Sequence, residues 1–341
     1  MATYEKENLP PDESDIDKLL APYRAAIEEA LRRLRGRENM LDELANEFLE
    51  SGGKRLRPSI VLLACESVMG SYNNAMPIAL AYELAHSASL TQDDIIDNSP
   101  TRHNKPTAYV KHGLTTAILI SDMLIFKIFE QLSRYADIEL SKKRLARLID
   151  QIATAAKETA EGEFLEMELS KKTEVTMDEY VRLARLKTGA LLGASAASGA
   201  IVAGAGPRIV KDMQEFGRNL GIAFQLMDDI LDITGESEMM GKPMLKDVQN
   251  NAANIVLVHA LLHADPKTRN RIRSMMVRST YGLVDVMELL GVLDDLGSVE
   301  YAMNLCRKHA AMARGRLKHL PEGNSKRTLE QLTTWLEARR R

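Results

Sequence analysis

Two groups of three aspartates carry the chemical potential of this chain. Asp93, Asp94 and Asp97 sit in Leu90-Thr-Gln-Asp-Asp-Ile-Ile-Asp97, and Asp228, Asp229 and Asp232 sit in Phe224-Gln-Leu-Met-Asp-Asp-Ile-Leu-Asp232. On a helix, positions i, i+1 and i+4 share one side, so each group presents its carboxylates together. Like charges at that spacing repel, and apolar neighbours raise the cost of ionising them. A divalent cation relieves both, and carboxylates plus a phosphate-bearing substrate make a typical Mg²⁺ site. One such group could be an acidic turn on a surface helix. Two with the same spacing and apolar flanks point to two walls of one metal–diphosphate pocket.

Cations follow the same pattern. Gly52-Gly-Lys-Arg-Leu-Arg-Pro58 places Lys54, Arg55 and Arg57 just ahead of a helix, where glycines and free backbone N–H groups let an anion approach. It lacks the spacing of a nucleotide-binding P-loop. His86 lies seven residues before Asp93 and so faces broadly the same way. Arg102, His103 and Lys105 follow the first acidic group, and Lys242 and Lys246 follow the second. Lys187-Thr188 precedes an uncharged stretch. Each is an ordinary charge alone; the repeat of acidic group, loop and cation is the signal. His259 and His263 are spaced i, i+4 without an intervening acid and read as structural, and the basic end Glu337-Ala-Arg-Arg-Arg341 reads as a frayed solvated end in preference to a mobile basic lid.

The elements that must position these groups read as helices. Aromatics are only 5% of 341 residues, and no two-residue hairpin turn joins alternating strands. Helical patterning runs over 14–34, Met40–Leu49, from Pro58 to Met69, Ala75–Asp97, Thr115–Tyr135, Lys142–Ser170, Thr176–Ala203, Arg208–Thr234 and Ala252–His263, then onward with breaks at Gly282, Gly297 and Pro321-Glu-Gly323. No linker or fixed repeat divides the chain, so one large helical domain over 14–341 is expected behind a loose polar tail at 1–13. Thr188–Pro207 carries no charge, but its Ala, Gly and Ser content predicts a buried central helix rather than a membrane span. A net charge of −3 argues against nucleic-acid binding, and two isolated cysteines point to a reduced, cytoplasmic setting.

This combination resembles the trans-prenyltransferases, the polyprenyl diphosphate synthases, over roughly Gly52 to Ile255. Asp93-Asp-Ile-Ile-Asp97 is similar to that family's first aspartate-rich motif, and Asp228-Asp-Ile-Leu-Asp232, with Phe224-Gln225 ahead of it, to its second. The resemblance implies an all-α fold around a deep central cavity, a homodimer, and three Mg²⁺ ions held by the six aspartates. It implies head-to-tail joining of isopentenyl diphosphate to an allylic diphosphate. Lys54, Arg57 and His86 would hold isopentenyl diphosphate, together with Arg102 and position 103. Lys187, Thr188, Gln225 and Lys242 would face the allylic substrate, Lys187 joining the aspartates in the catalytic set. Glu161-Gly-Glu-Phe-Leu-Glu166 resembles a Gly-Gln-x-x-Asp stretch, with Glu163 for Gln and Glu166 for Asp.

Two further departures bear on affinity. His103 stands where the family carries a second Arg that grips isopentenyl diphosphate, and Ala252 stands where a Lys faces the allylic diphosphate. A class I terpene cyclase and a weakly active or regulatory prenyltransferase subunit are the competing readings. The second complete Asp-Asp-x-x-Asp weighs against the cyclase. Ala88 and Ser89, one turn before Asp93, are expected to face the cavity. In the resembling family a bulky aromatic there closes the floor, so two small residues imply geranylgeranyl diphosphate (C20) or longer products.

Overall fold

The computed structural model describes residues 13–34, 39–49, 53–102, 105–138, 140–234, 253–276 and 283–339. The expected tail falls outside them, up to the start of the first helix, as do His103, Lys242, Lys246 and Ala252. The chain is all-α, as its patterning predicts. In order come α1 (Glu13–Leu34), α2 (Met40–Leu49), α3 (Leu56–Met69), α4 (Met76–Ile96), α5 (Ala108–His112), α6 (Leu114–Ser133) and α7 (Lys142–Leu169). Then follow α8 (Met177–Ala184), α9 (Ala190–Val202), α10 (Pro207–Thr234), α11 (Ile255–His263), α12 (Pro266–Met276), α13 (Leu283–Asp295), α14 (Ser298–Arg316) and α15 (Asn324–Ala338).

Local chemistry sets several of these ends. Ser141 caps α7 by accepting from the Arg144 N–H, Thr176 and Glu179 form a reciprocal capping box at α8, and Asn254 caps α11. Gly70 ends α3 in the left-handed region, with φ of 77°. Two elements escape the sequence pattern. The loop after α4 contains a minimal antiparallel pairing of Thr101–Arg102 with Lys105–Pro106, which helical patterning does not predict. The short α5 follows it, and the Thr107 hydroxyl ties its start back to the Ser99 carbonyl at 2.9 Å.

Every residue of α9 is buried, as expected for the uncharged stretch, and no described helix is long and apolar enough to cross a membrane. α3, α4, α7 and α10 pack around it. Small residues allow the close approach: a side chain at Gly199 would strike the α3 backbone at Val61, and one at Gly217 of α10 would strike the α9 backbone at Leu192 and Gly193. The pattern from Thr176 to Ala203, read as one helix, is interrupted by a π-helical turn at Arg185–Gly189. Gly162 of α7 explains how it fits: an added Cβ there would lie 2.7 Å from the Lys187 nitrogen. A π turn widens the helix by one residue and re-aims the side chains on it.

Gly217→Ala should therefore destabilise the fold by about 1–3 kcal/mol, because the added methyl meets backbone that cannot rotate away. Chemical denaturation with far-ultraviolet circular dichroism measures it. An unchanged midpoint would show that α9 and α10 can separate without cost.

Candidate active site

The C-terminal turns of α4 and α10 bring the two acidic groups to one cavity of about 980 Å³. Asp93, Asp94 and Asp228 line it, together with Lys54, Arg57, His86, Arg102, Lys187, Thr188 and Gln225. Thus most of the residues singled out by type and spacing meet at one place, although they come from segments up to 174 positions apart (228 − 54). Leu90, Leu191, Leu192 and Phe224 supply an apolar part of the wall.

The aspartates are not equivalent. The Asp93 carboxyl is pushed up to about 7, first by burial and then by Glu163 and Asp97, against the pull of Lys187 and Arg102. Asp94 is buried and accepts from Arg102 Nε at 2.9 Å. Asp97 closes α4 as its C-terminal cap and is exposed, outside the cavity wall. Asp228 accepts from Arg339 at 2.5 Å. Asp229 turns the other way: Tyr180 donates to it at 2.6 Å, the Ile255 N–H at 2.9 Å and Gln225 at 2.9 Å. Both of its oxygens are engaged in tying α8, α10 and α11 together, so it supports the wall from behind. Asp228 faces the cavity, while Asp229, about 100° further round α10, is drawn towards α8 and α11 by these hydrogen bonds. Asp232 is half-buried and also off the wall.

The same geometry separates Ala88 from Ser89. Ser89 lines the cavity, but Ala88 is buried off the wall on α4, where its carbonyl accepts from Ser121 of α6 at 3.4 Å. The expectation that both point inward is corrected to Ser89 alone.

Among the cations, Arg55 and Arg57 divide their work. Arg55, in the left-handed region at φ 48°, turns inward and binds Glu28 at 2.7 Å and Glu83. Arg57 faces the cavity; its Nε has no hydrogen-bond partner, and burial lowers its pKa despite nearby Glu83 and Asp93. A buried guanidinium donor without a partner at a cavity wall is a fit for a phosphate oxygen. Lys187, carried on the π turn, sits between Glu166 and Glu163, the latter at 2.9 Å. Burial works against its ammonium, but the two glutamates overcome this and hold its pKa above the usual lysine range. Thr188 donates to Gln225 at 2.8 Å, and Gln225 donates to Asp229, which fixes the wall between α9 and α10.

The residues fit a divalent cation by their chemistry: Asp93, whose carboxyl burial and neighbouring acids push up to about 7, gains from one. Among the described residues no three ligands converge on a single point, so an ion there would complete its shell with phosphate oxygens and water. His259 and His263 are stacked at 4.1 Å, and His259 stacks on Tyr301 at 4.2 Å and bonds Ser298, a structural arrangement away from the cavity. The sequence matched Glu163 to a motif without giving it a role, and gave Arg339 none, yet Glu163 lines the cavity and Arg339 reaches Asp228 on its wall. Glu163 had a signal in its glycine-preceded acidic stretch; Arg339 had none beyond a basic terminus.

Residues 38–291 match the family described as polyprenyl synthetase. The chain is 34% identical over 292 residues to the short chain isoprenyl diphosphate synthase of Methanothermobacter thermautotrophicus, covering 86% of this chain and 88% of that protein. It superposes on geranylgeranyl pyrophosphate synthetase from Pyrococcus horikoshii with a TM-score of 0.89 and 34% identity, over 95% of this chain and 99% of that one. A Caulobacter crescentus polyprenyl synthase complexed with calcium and isoprenyl diphosphate gives a TM-score of 0.84 and 26% identity, over 96% and 97% of the two chains.

The raised Asp93 carboxyl makes a pH signature. Its folded pKa of about 7 lies above the ordinary carboxylate value near ~4, so between these limits the folded state holds a proton that the unfolded chain has lost. This contribution is therefore lost as pH rises towards neutrality. In chelator, the melting temperature of the wild type should fall more from pH 5 to pH 8 than that of Asp93→Asn, and Mg²⁺ should restore the difference. Parallel calorimetric profiles for the two proteins would refute this.

Proposed function

The chain belongs to the polyprenyl synthetase family, and we propose that it joins isopentenyl diphosphate head-to-tail to an allylic diphosphate, giving a trans-prenyl diphosphate of C20 or longer. The observation that carries this reading is one cavity lined at once by Asp93, Asp94, Asp228 and the cations Lys54, Arg57, Arg102 and Lys187. Asp93, Asp94 and Asp228 would hold Mg²⁺, with Asp97 and Asp232 on the same helix ends; the family resemblance gives three ions. When bound, they supply Lewis-acid stabilisation of the departing diphosphate.

The chain's own residues do the rest. Lys187 and Arg102 add fixed positive charge where negative charge develops, and they need little reorganisation because Glu163, Glu166 and Asp94 already hold them. Lys54, Arg57 and His86 bind the diphosphate of isopentenyl diphosphate, placing its double bond near the allylic carbon. Leu90, Leu191, Leu192 and Phe224 keep water from the allylic cation. The departing diphosphate can take the final proton, so no dedicated base is needed. His103, Lys242 and Ala252 enter as sequence positions only: the first two would contact diphosphate, and the third removes a cation.

A homodimer fits the surface. Leu114, Ile118, Phe126 and Phe129 recur at helical spacing along α6 and are exposed, an apolar stripe that a second copy would cover. Two buried free thiols, Cys65 and Cys306, suit a cytoplasmic enzyme. The cyclase and regulatory-subunit readings draw no support from the relatives named above.

Purified protein with Mg²⁺, isopentenyl diphosphate and farnesyl diphosphate should yield an elongated prenyl diphosphate. A cyclic hydrocarbon, or no product, would overturn the reading. Asp93→Ala and Asp228→Ala should each cut turnover by about 10²-fold or more with helicity intact. Near-normal turnover in either would remove the two-walled metal pocket.

Product length should respond to Ser89 and not to Ala88. Ser89→Phe fills the cavity and should shorten the products, read by chromatography after dephosphorylation. Ala88→Phe, packed beside α6, should instead cost about 1–3 kcal/mol of stability. Unchanged products from Ser89→Phe would detach this wall from chain-length control.

A further inference from the structure

The end of α15 enters the active site. Arg339, third from the end of the chain, has a side chain only 12% exposed and donates to Asp228 at 2.5 Å. Its guanidinium lies 4.7 Å from the ring centre of Phe224, one helical turn before Asp228, and 5.6 Å from that of Trp335. Trp335 is buried and is also faced by Lys54 at 5.0 Å. Arg339 thus joins the last helix to the segment of the second acidic group, and the indole beneath it also meets Lys54 of the basic loop before α3.

Such a contact is more than a frayed terminus. The guanidinium is paired, stacked on two rings and largely withdrawn from solvent, a combination that favours Arg over Lys. It satisfies Asp228, the carboxylate of the second acidic group on the cavity wall, with an internal cation. Arg339 holds Oδ1 of Asp228, and a divalent ion arriving at this carboxylate meets the repulsion of the guanidinium beside it. The two cations therefore compete for the group.

We propose that Arg339 is a metal surrogate: it occupies the Asp228 carboxylate in the metal-free enzyme, is displaced by Mg²⁺, and so sets the metal concentration at which the second acidic group fills. The inference rests on the reading of Asp228 as a metal ligand. It makes Arg339 a tuning element of the metal site, and it makes Trp335, the single tryptophan of the chain, a built-in reporter of the exchange.

The test uses the full-length protein and Mg²⁺ alone, at constant ionic strength, with two readouts: melting temperature and Trp335 emission. In the wild type the emission should change over the same Mg²⁺ range in which the melting temperature rises. In Arg339→Ala the half-saturating Mg²⁺ should fall about fivefold, the factor that corresponds to removing a partly exposed ion pair. Arg339→Lys, which keeps the charge without the planar stack, should lie between. Equal half-saturation in wild type and Arg339→Ala, or flat wild-type emission while Mg²⁺ stabilises the protein, would overturn the surrogate and leave the metal site standing. If Mg²⁺ stabilises neither protein, the metal reading of Asp228 fails and the surrogate fails with it.

Discussion

The constraint on which this structure turns is charge balance in a poorly hydrated cavity. Carboxylates on the ends of α4 and α10 must face a common space, and each is costly to ionise without a partner. The fold answers with a fixed cation for each exposed acidic edge. Arg102 holds Asp94, Arg339 holds Asp228, and Lys187 stands between Glu163 and Glu166 beside Asp93. Asp93 has the poorest compensation and carries the raised pKa. The site is thus electrostatically unfinished, which is the condition under which a divalent ion and a diphosphate bind together as a neutralising unit.

Positioning these charges depends on a helix that carries none. α9 is made of small and aliphatic residues, so α3 and α10 reach its backbone directly and their spacing is set by main-chain contact. A core of that kind has little slack. The π turn at its start then delivers Lys187 to the acidic side of α7, where Gly162 leaves room for it. Asp229 closes the other side: its hydrogen bonds to Tyr180, Gln225 and Ile255 lock three helices behind the wall that presents Asp228. One aspartate of the motif serves the fold so that its neighbour can serve the cavity.

Much of this was legible from residue order because it is local. The boundaries of α2 match the amphipathic pattern, and the acidic spacing put each group on one side of a helix. What was not legible is set by tertiary contacts. Periodicity cannot show a π turn, since one inserted residue leaves the composition of Thr176–Ala203 unchanged. It cannot tell which of Ala88 and Ser89 faces inward without knowing where α6 lies. Nor can it reveal that Arg339 meets Asp228, because that pair is 111 positions apart and joins a chain end to a helix end.

Three departures from the resembling pattern act in the same direction. His103 and Ala252 remove cations, and Glu163 replaces a neutral amide by a carboxylate. Glu163 lines the cavity and adds a carboxylate there, next to Lys187, whereas His103 and Ala252 lie outside the described residues and count as sequence positions only. Arg339 then has a physical reason to be where it is. Without a cation at Asp228, the metal-free pocket would carry one more uncompensated carboxylate beside an already crowded set. Arg339 stands just past the last residue of α15, so its release moves one side chain and leaves the packed helices unchanged.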